Sequence, residues 1–171
     1  MRPSKTLSIA VTALSAAVIY LCSYIAIPLP FSPVPVTAHT LAITLVALIL
    51  PRRESIGAIL IYLLLGIATG GVTFGPAVGY YAGFILTAVL LPTFRGSGAH
   101  FGRFLLLSVL AALLTDLCGA AGMMLVQSLA PGAAFVSGIL VFLPGDLLKA
   151  AAASIAAVPI RRATARMFQR S

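Results

Sequence analysis

Three ionisable side chains lie inside apolar segments of the sequence, away from the charged clusters that flank those segments: Asp116, Asp146 and Lys149. A charge near the centre of a bilayer costs at least about 2.5–3.5 kcal/mol on insertion scales, so such a residue faces a cavity or a partner. These three residues are therefore candidates for a site within a membrane. The alternative is a purely structural ion pair.

The spacing of Asp146 and Lys149 predicts that the two side chains act together. Residues three apart project from the same face of a helix, which places a carboxylate acceptor beside an ammonium donor. Pro144 and Gly145 immediately precede the pair, a pattern typical of a helix start or a break. A helix that begins there brings the positive end of its dipole to the site, as in the half-helices that transporters use to hold substrates.

The position of Asp116 along the chain predicts that it lies at a height similar to that of Lys149. Lys149 is 12 residues before Arg161, and Asp116 is 13 residues after Arg103. At about 1.5 Å per residue, both lie roughly 18–20 Å from the basic boundary. An ion pair between Asp116 and Lys149 would leave Asp146 available to a ligand.

The composition of the chain is that of a membrane protein. Of its 171 residues 61% are hydrophobic and 8% are charged, and the mean hydropathy is +1.14. A soluble domain typically carries about 25% charged residues, so this chain cannot cover a water-facing surface. We expect a single all-α membrane domain over residues 1–171, with room for about six spans of ~20 residues.

Six apolar segments predict the helices of this six-helix bundle. They are Leu7–Ile27, Thr37–Leu50, Ser55–Thr69, Ala77–Leu91, Phe104–Leu129 and Ala134–Ile160. Several are shorter than the ~20 residues needed to span, so loop residues are expected to complete them. The first is longer than the roughly 7–15 apolar residues of a signal peptide, and we expect it to remain as a membrane helix.

The basic residues predict the orientation of the bundle in the cell membrane. Ten of the eleven Lys and Arg residues lie at the termini or in the connectors after the second and fourth segments, all on one side of a six-helix arrangement. By the positive-inside rule this side is cytoplasmic, so both termini are expected to be cytoplasmic. Because these clusters are short and lack interleaved aromatic residues, the net charge of +8 does not indicate nucleic-acid binding.

The connectors on the opposite side are candidates for a lid and a rim over a pocket, with plain connecting turns as the alternative. The first runs from Pro28 to Pro35 and must be extended, because proline disfavours helix at its own position and at the one before it. The second, residues 69–76, is rich in glycine. Irregular backbone at membrane depth is tolerated only where protein or a cavity covers it.

Small residues at four-residue spacing predict close helix approach in lipid. One such pair is Ala13 and Ala17, and a longer row consists of Gly75, Gly79 and Gly83. Tyr80 and Tyr81 lie within this row, so at least one of them can face a cavity.

No constellation of residues in the sequence predicts catalysis or metal binding. Cys22 and Cys118 lie within apolar segments and far from either histidine, so we interpret them as small hydrophobic residues. The sequence has no phosphate-binding glycine loop and no serine with a plausible base. We expect neither an enzyme nor a cofactor, and any energy source must lie in another subunit or in an ion gradient.

Three stretches of the sequence resemble the BioY family, the biotin-specific substrate-binding components of energy-coupling factor (ECF) transporters. They are PVPVTAHTL at 33–41, GPAVGYYAGF at 75–84 and FLPGDLLKA at 142–150. The chain departs from the usual family pattern at His39, where glutamine is typical, and at Ala77 and Val78, where threonine and glycine are typical.

The resemblance implies a helical bundle that binds biotin and has as partners the lipid bilayer, a transmembrane coupling subunit and two ATPase subunits. Ala13 and Ala17 are similar to the contact by which these components dock on the coupling subunit. Asp146 can accept from a ureido N–H and Lys149 can donate to the ureido carbonyl, with Asp116 as a structural partner. The remaining candidate contacts to the substrate are Tyr80, Gly79, Gly75, Phe31, Val36 and His39.

Two other functions fit the residues themselves. The chain could be a structural or assembly subunit whose buried charges lock its helices together. It could also be an ion-coupled carrier of small molecules in which Asp116 or Asp146 relays a proton. The residue chemistry alone does not single out biotin among small vitamins, and that step rests on the resemblance.

The uneven distribution of Lys and Arg predicts that both chain ends are inaccessible from outside the cell. In a variant whose Cys22 and Cys118 are replaced, a single cysteine at Ser4 or Ser171 should resist a membrane-impermeant maleimide added to intact cells. A cysteine at Ser32, in the first outer connector, is the positive control and should be labelled. Efficient labelling at either terminus would contradict the six-helix arrangement.

Overall fold

The structure, a computed structural model, describes residues 5–30, 32–72 and 74–170, with side chains to residue 163. The described helices are α1 (Lys5–Ser23), α2 (His39–Ile49), α3 (Arg52–Ala68), α4 (Val78–Phe94), α5 (Phe101–Gln127), α6 (Pro131–Phe135) and α7 (Leu143–Arg170). A π-helical turn, Val136–Leu140, joins α6 to α7, and two short strands, β1 (Ala26–Ile27) and β2 (Val36–Thr37), lie between α1 and α2. Apart from these strands, the predicted all-helical fold is confirmed in the described residues.

Three helical stretches among the described residues are long and apolar enough to cross a membrane. They are Lys5–Ser23, Phe101–Gln127 and Pro131–Ala163, and the last comprises α6, the π-helical turn and most of α7. The apolar helices α2 and α4 are shorter. This distribution places the protein in a membrane.

The first helix ends four residues before the predicted end, because the chain turns into a hairpin. The strands β1 and β2 pair antiparallel, with Ala26 opposite Thr37 and Ile27 opposite Val36. Pro28 disfavours helical backbone at the residue before it, which stops α1 from continuing through Ile27. The proline-rich connector therefore begins and ends at a paired base rather than running as a free extended segment.

The core of the bundle is formed by side chains from most of its helices. One buried cluster joins α1, α2, α3 and α4 and includes Ile19, Ile43, Ile59 and Phe84. A second cluster packs the other ends of α2 and α4 against α5 and α7 around Phe104. These clusters hold the two short helices α2 and α4 in the interior of the bundle, where other helices cover them on several sides.

The helices α4 and α5 approach each other through glycine. A Cβ atom at Gly83 would lie 2.7 Å from the Cα of Thr115, and one at Gly79 would overlap the backbone of Cys118 and lie 3.0 Å from the Cα of Gly122. Such distances allow no side chain, so the predicted glycine row supports helix packing at these two positions.

Arginine side chains cap the C-terminal end of α2 on the basic side of the protein. The buried Arg95 donates to the carbonyl oxygens of Ala47, at 3.1 Å, and Leu48. Arg161 donates to the carbonyl of Ile49 at 2.9 Å. The last carbonyls of a helix lack intrahelical partners and carry partial negative charge, so cations stabilise them. Arg95 and Arg161 belong to the basic residues that predict the orientation in the membrane. Their hydrogen bonds therefore also connect α4 and α7 to α2.

The glycine contact between α4 and α5 predicts a difference between two similar substitutions. Gly83→Ala should destabilise the protein by about 1–3 kcal/mol, because the added methyl group meets the backbone of α5. Gly102→Ala is the matched control: a Cβ there meets nothing within 4 Å. It should be neutral or stabilising by up to about 1 kcal/mol. Melting curves in detergent measure both, and equal melting temperatures would contradict the predicted close approach.

Candidate functional site

A cavity of about 520 Å³ lies among α2, α3, α4, α5 and α7, with the proline-rich connector at one end. This volume is within the range of about 300–1,000 Å³ that is usual for small-molecule sites. The polar side chains that line it include Tyr20, Tyr24, His39, Thr40, Thr44, Tyr62, Thr69, Tyr80, Tyr81, Thr87, Ser108, Thr115, Asp116, Asp146 and Lys149. The structure thus brings together most of the ionisable residues that the sequence analysis selected.

The pair of charges on α7 lies at the wall of this cavity. The ammonium nitrogen of Lys149 is 2.5 Å from Oδ1 of Asp146 and donates to Oγ1 of Thr40 at 2.9 Å. Because Thr40 is on α2, the lysine joins α7 to α2. An ammonium group has three N–H donors and a carboxylate has about four acceptor positions, so both groups retain capacity for a ligand.

The carboxyl group of Asp116 lies near this pair on α5. Asp116 is 4% exposed, and its side chain is within hydrogen-bonding reach of Asp146. Its Oδ2 atom is buried and has no hydrogen-bond partner among the described residues. The structure pairs Lys149 with Asp146 rather than Asp116, because the three-residue spacing on one helix already brings those two groups together. The cluster therefore holds two carboxyl groups for one ammonium.

Tyr80 contributes an aromatic wall, and its hydroxyl group is already occupied. The hydroxyl donates to the carbonyl of Gly138 at 2.9 Å, within the π-helical turn. The ring packs over Gly119 and against Phe142, with 5.9 Å between the ring centroids. A ligand in the cavity therefore meets the ring of Tyr80 rather than its hydroxyl group.

His39 stands at the start of α2 between two aromatic rings. Its ring centroid is 5.7 Å from that of Tyr62 and 5.1 Å from that of Phe84, the second contact being edge-to-face. Both ring nitrogens are buried and have no hydrogen-bond partner among the described residues. The imidazole therefore lines the cavity with its polar atoms unused.

The other predicted contacts lie elsewhere. Val36 is in β2, packs near Gly145 of α7, and is not one of the cavity-lining residues. Gly79 faces α5, as described above, and Gly75 precedes α4, where its carbonyl accepts from the amide of Val78 at 3.1 Å. Phe31 lies outside the described residues.

Comparison with known proteins identifies the family. The model of the BioY family matches residues 1–166 of the chain. The chain belongs to the BioY family. The resemblance inferred from the three sequence motifs is therefore confirmed.

Two individual relatives of this BioY-family chain agree with the assignment. The biotin transporter BioY2 of Lactococcus lactis subsp. cremoris (strain MG1363) is 43% identical over 101 residues, which are 53% of this chain and 54% of the relative. The match thus spans about half the length of that relative. The crystal structure of the S-component for biotin from an ECF-type ABC transporter has a TM-score of 0.81 at 21% identity, covering 95% of each chain. At this identity the second comparison establishes a shared fold.

Several hydroxyl groups in the cavity of the BioY-family chain were not selected from the sequence. Thr40 and Thr44 lie one turn apart on α2, and Thr87 and Thr115 lie 3.3 Å apart at their Oγ1 atoms, between α4 and α5. A signal for them exists, since polar residues at i and i+4 in an apolar helix share a face. It is weak because a threonine can satisfy its hydroxyl on its own helix, as Thr44 does with the carbonyl of Thr40.

Proposed function

We propose that this BioY-family chain is the substrate-binding subunit of an ECF-type transporter and that it captures biotin at the outer face of the cell membrane. The observation that carries the proposal is the ion pair of the buried Asp146 and the partly buried Lys149 at the wall of a cavity lined by aromatic rings. Membership of the family and the biotin-specific relatives support the choice of ligand.

The chemistry of biotin suits this cavity. Its ureido ring offers two N–H donors and one carbonyl acceptor, and its fused rings are compact and apolar. Asp146 accepts from one N–H and Lys149 uses its remaining donor on the carbonyl. The rings of Tyr80 and Phe84 bury the apolar body of the ligand. A mostly apolar pocket with a few convergent polar groups is the usual form of a small-molecule site.

The charges also orient the ligand. The ammonium of Lys149 is already paired with the carboxylate of Asp146. A ligand carboxylate placed beside this pair would meet a like charge without a free cation to balance it, and charges interact strongly in a low-dielectric interior. The neutral ureido ring therefore enters first, and the acid chain points toward the mouth, where Tyr24 is 70% exposed and Thr69 is also exposed.

The arrangement in the membrane follows from the same proposal. The chain spans six times with both termini in the cytoplasm, and a transmembrane coupling subunit and two ATPase subunits complete the transporter. The basic asymmetry supports this orientation, since Arg95 and Arg161 lie together at one end of α2. The mouth of the cavity then opens to the outside. The protein acts as a transport component and not as an enzyme.

The outer face of α1 is the proposed docking surface for the coupling subunit. Ala16 and Ile19 are buried against the rest of the bundle, whereas Ala13 and Ala17 are exposed on another face of the same helix. Small side chains on an exposed face allow another helix to approach closely in lipid, where packing drives association.

Bulky residues at this face of α1 should weaken docking of the coupling subunit without changing the affinity for biotin. In the double variant Ala13→Leu and Ala17→Leu, co-purification of the coupling subunit should fall severalfold, because the added side chains hold the two helices apart. Biotin affinity, measured by calorimetry, should stay within about twofold. Ala82→Leu, at an exposed position of α4 outside the cavity lining, adds the same bulk away from α1; it is the control and should leave both quantities unchanged. Undiminished co-purification of the double variant would exclude this face.

Substitutions of Asp146, Lys149 and Asp116 should show which of these residues contact the ligand and which stabilise the fold. Asp146→Asn retains one acceptor oxygen but presents a donor to a donor, and biotin affinity should fall by about 10-fold to 100-fold. Lys149→Met should lose a similar amount and also lower the melting temperature, since it removes the compensation for the buried carboxyl groups. Asp116→Asn should affect the melting temperature more than the affinity. Calorimetry and melting curves measure both quantities.

The controls for this experiment lie outside the cavity, and its outcomes distinguish the alternative functions. Lys5→Met and Glu54→Gln remove the same chemical groups at positions away from the site and should leave affinity unchanged. Near-native affinity in Asp146→Asn would remove this residue from the site and favour a structural role for the pair. Uptake of biotin that depends on pH and needs no ATPase partner would instead favour an ion-coupled carrier.

A further inference from the structure

The mouth of the cavity carries four hydroxyl groups from two elements of the fold. Tyr20, Ser23 and Tyr24 lie at the end of α1, and Thr69 directly follows α3. We call these four residues the hydroxyl rim. Tyr24 is 70% exposed and Thr69 is also exposed, so the rim borders the opening of the cavity rather than the interior of the bundle.

The hydrogen bonds within the hydroxyl rim have a fixed direction. Thr69 donates to the carbonyl of Leu65 at 2.8 Å, and a carbonyl oxygen can only accept. Because a hydroxyl group has a single proton, Thr69 must accept from Tyr20, which donates to it at 3.0 Å. For the same reason Tyr20 accepts from Tyr24 in their 2.6 Å contact. The proton of Ser23 is also in use, in a 2.6 Å bond to the carbonyl of Tyr20.

The hydroxyl rim therefore offers acceptors to a ligand. All four of its protons are engaged in the bonds just described, whereas a hydroxyl oxygen has two acceptor positions. In these bonds Tyr24 accepts nothing, and Tyr20 and Thr69 accept one bond each. Acceptor positions thus remain on all three oxygens, and a free O–H donor would appear only if one of these bonds broke.

The hydroxyl rim has no basic side chain beside it in the sequence. Residues 6–51 and 54–94, which include the whole rim, contain no lysine or arginine. Among the cavity-lining residues that the structure describes, Lys149 is the one Lys or Arg, and it is bonded to Asp146 and Thr40. A ligand carboxylate at the mouth, which can only accept, therefore meets further acceptors and no cation.

An amide group complements the hydroxyl rim better than a carboxylate does. Its N–H can donate to the open acceptor position of Tyr24 or Tyr20, and it carries no charge that requires a cation. A substituent beyond the amide would pass the exposed Tyr24 and Thr69. Gly70, which also lines the mouth, leaves space there, since a Cβ atom on it would meet nothing within 4 Å.

We propose that the protein binds amides of biotin, in which the carboxyl group is joined to ammonia or to an amine, at least as tightly as it binds the free acid. The inference rests on the proposed binding of biotin with its ureido ring innermost. It extends the substrate class from a single acid to its amide-linked derivatives. The hydroxyl rim determines this range, because it favours an N–H donor at the end of the acid chain over a negative charge.

Calorimetry on the full chain in detergent tests the substrate range with biotin, its methyl ester and its primary amide. The ester is neutral and offers only acceptors, so it separates the loss of charge from the gain of a donor. The primary amide should bind about threefold or more tighter than the ester and at least as tightly as biotin. Biotin joined to the side-chain amine of lysine should match the primary amide. Binding of the free acid more than about tenfold tighter than both amides would overturn the proposal.

A substitution at Thr69 should change the direction of the hydrogen bonds. Thr69→Val keeps the shape of the side chain and removes the acceptor of the Tyr20 proton. Tyr20 can then donate to Tyr24, which frees the proton of Tyr24 for a carboxylate. The affinity for biotin relative to its primary amide should rise by about threefold to tenfold.

The matched control is Thr93→Val. Thr93 is likewise exposed and donates to the carbonyl four residues before it, at 2.6 Å, but it does not line the cavity. This variant should leave the affinity ratio of biotin to its primary amide unchanged. A rise equal to that in Thr69→Val would overturn the role of the hydroxyl rim.

A second variant and the native protein complete the test. Melting curves show whether Thr69→Val is folded, and Tyr20→Phe produces the same free donor by another route, since it removes the acceptor of the Tyr24 proton. An unchanged affinity ratio in either folded variant would overturn the role of the rim. Failure of the native protein to bind biotin and both amides would reject the proposed function. Tight binding of biotin with weak binding of both amides would reject only the proposed substrate range.

Discussion

The architecture of the site depends on the need to compensate one ammonium group in a membrane interior. Lys149 meets this need with the carboxylate of Asp146 at 2.5 Å and the hydroxyl of Thr40 at 2.9 Å. The first partner lies on the same helix and the second on α2, so the cation fixes the rotation of α7 and its position against α2 at once. Loss of either partner would leave a buried charge partly unpaired, which is far more costly than never burying the pair.

The π-helical turn before α7 determines where that pair points. The amide of Val141 bonds to the carbonyl of Val136, five residues back, and such a turn inserts one extra residue into the helix. One residue corresponds to about 100° of rotation, so an uninterrupted α-helix would direct Asp146 to a different face. Tyr80 supports the turn, since its hydroxyl bonds to the carbonyl of Gly138. A cavity-lining residue of α4 therefore helps to orient the acidic contact.

The sequence predicted the helices and the α7 charge pair because both depend on local periodicity. It left open whether Lys149 pairs with Asp116 or Asp146, because residue counts measure height in the membrane but not direction around a helix. Likewise, the spacing of the glycine row showed that one side of α4 packs closely but not which neighbour it meets, and Gly79 faces α5 instead of the cavity. The π-helical turn has no periodic signature, so its rotation of α7 was not predictable from pattern.

The groups left without partners suggest why such a site can be selective while its charges stay buried. A buried carboxylate–ammonium pair is close to neutral, so it attracts neither anions nor cations strongly, and its value to a ligand lies in directed hydrogen bonds. The nitrogens of His39 and the Oδ2 atom of Asp116 have no hydrogen-bond partner among the described residues, and a buried polar group costs free energy while it is unpaired. A ligand that pairs with any of them recovers this free energy, and one that cannot do so must leave them unsatisfied. Discrimination then comes from what a wrong ligand fails to satisfy, which favours a compact neutral ring that carries hydrogen-bond donors over a charged molecule of equal size.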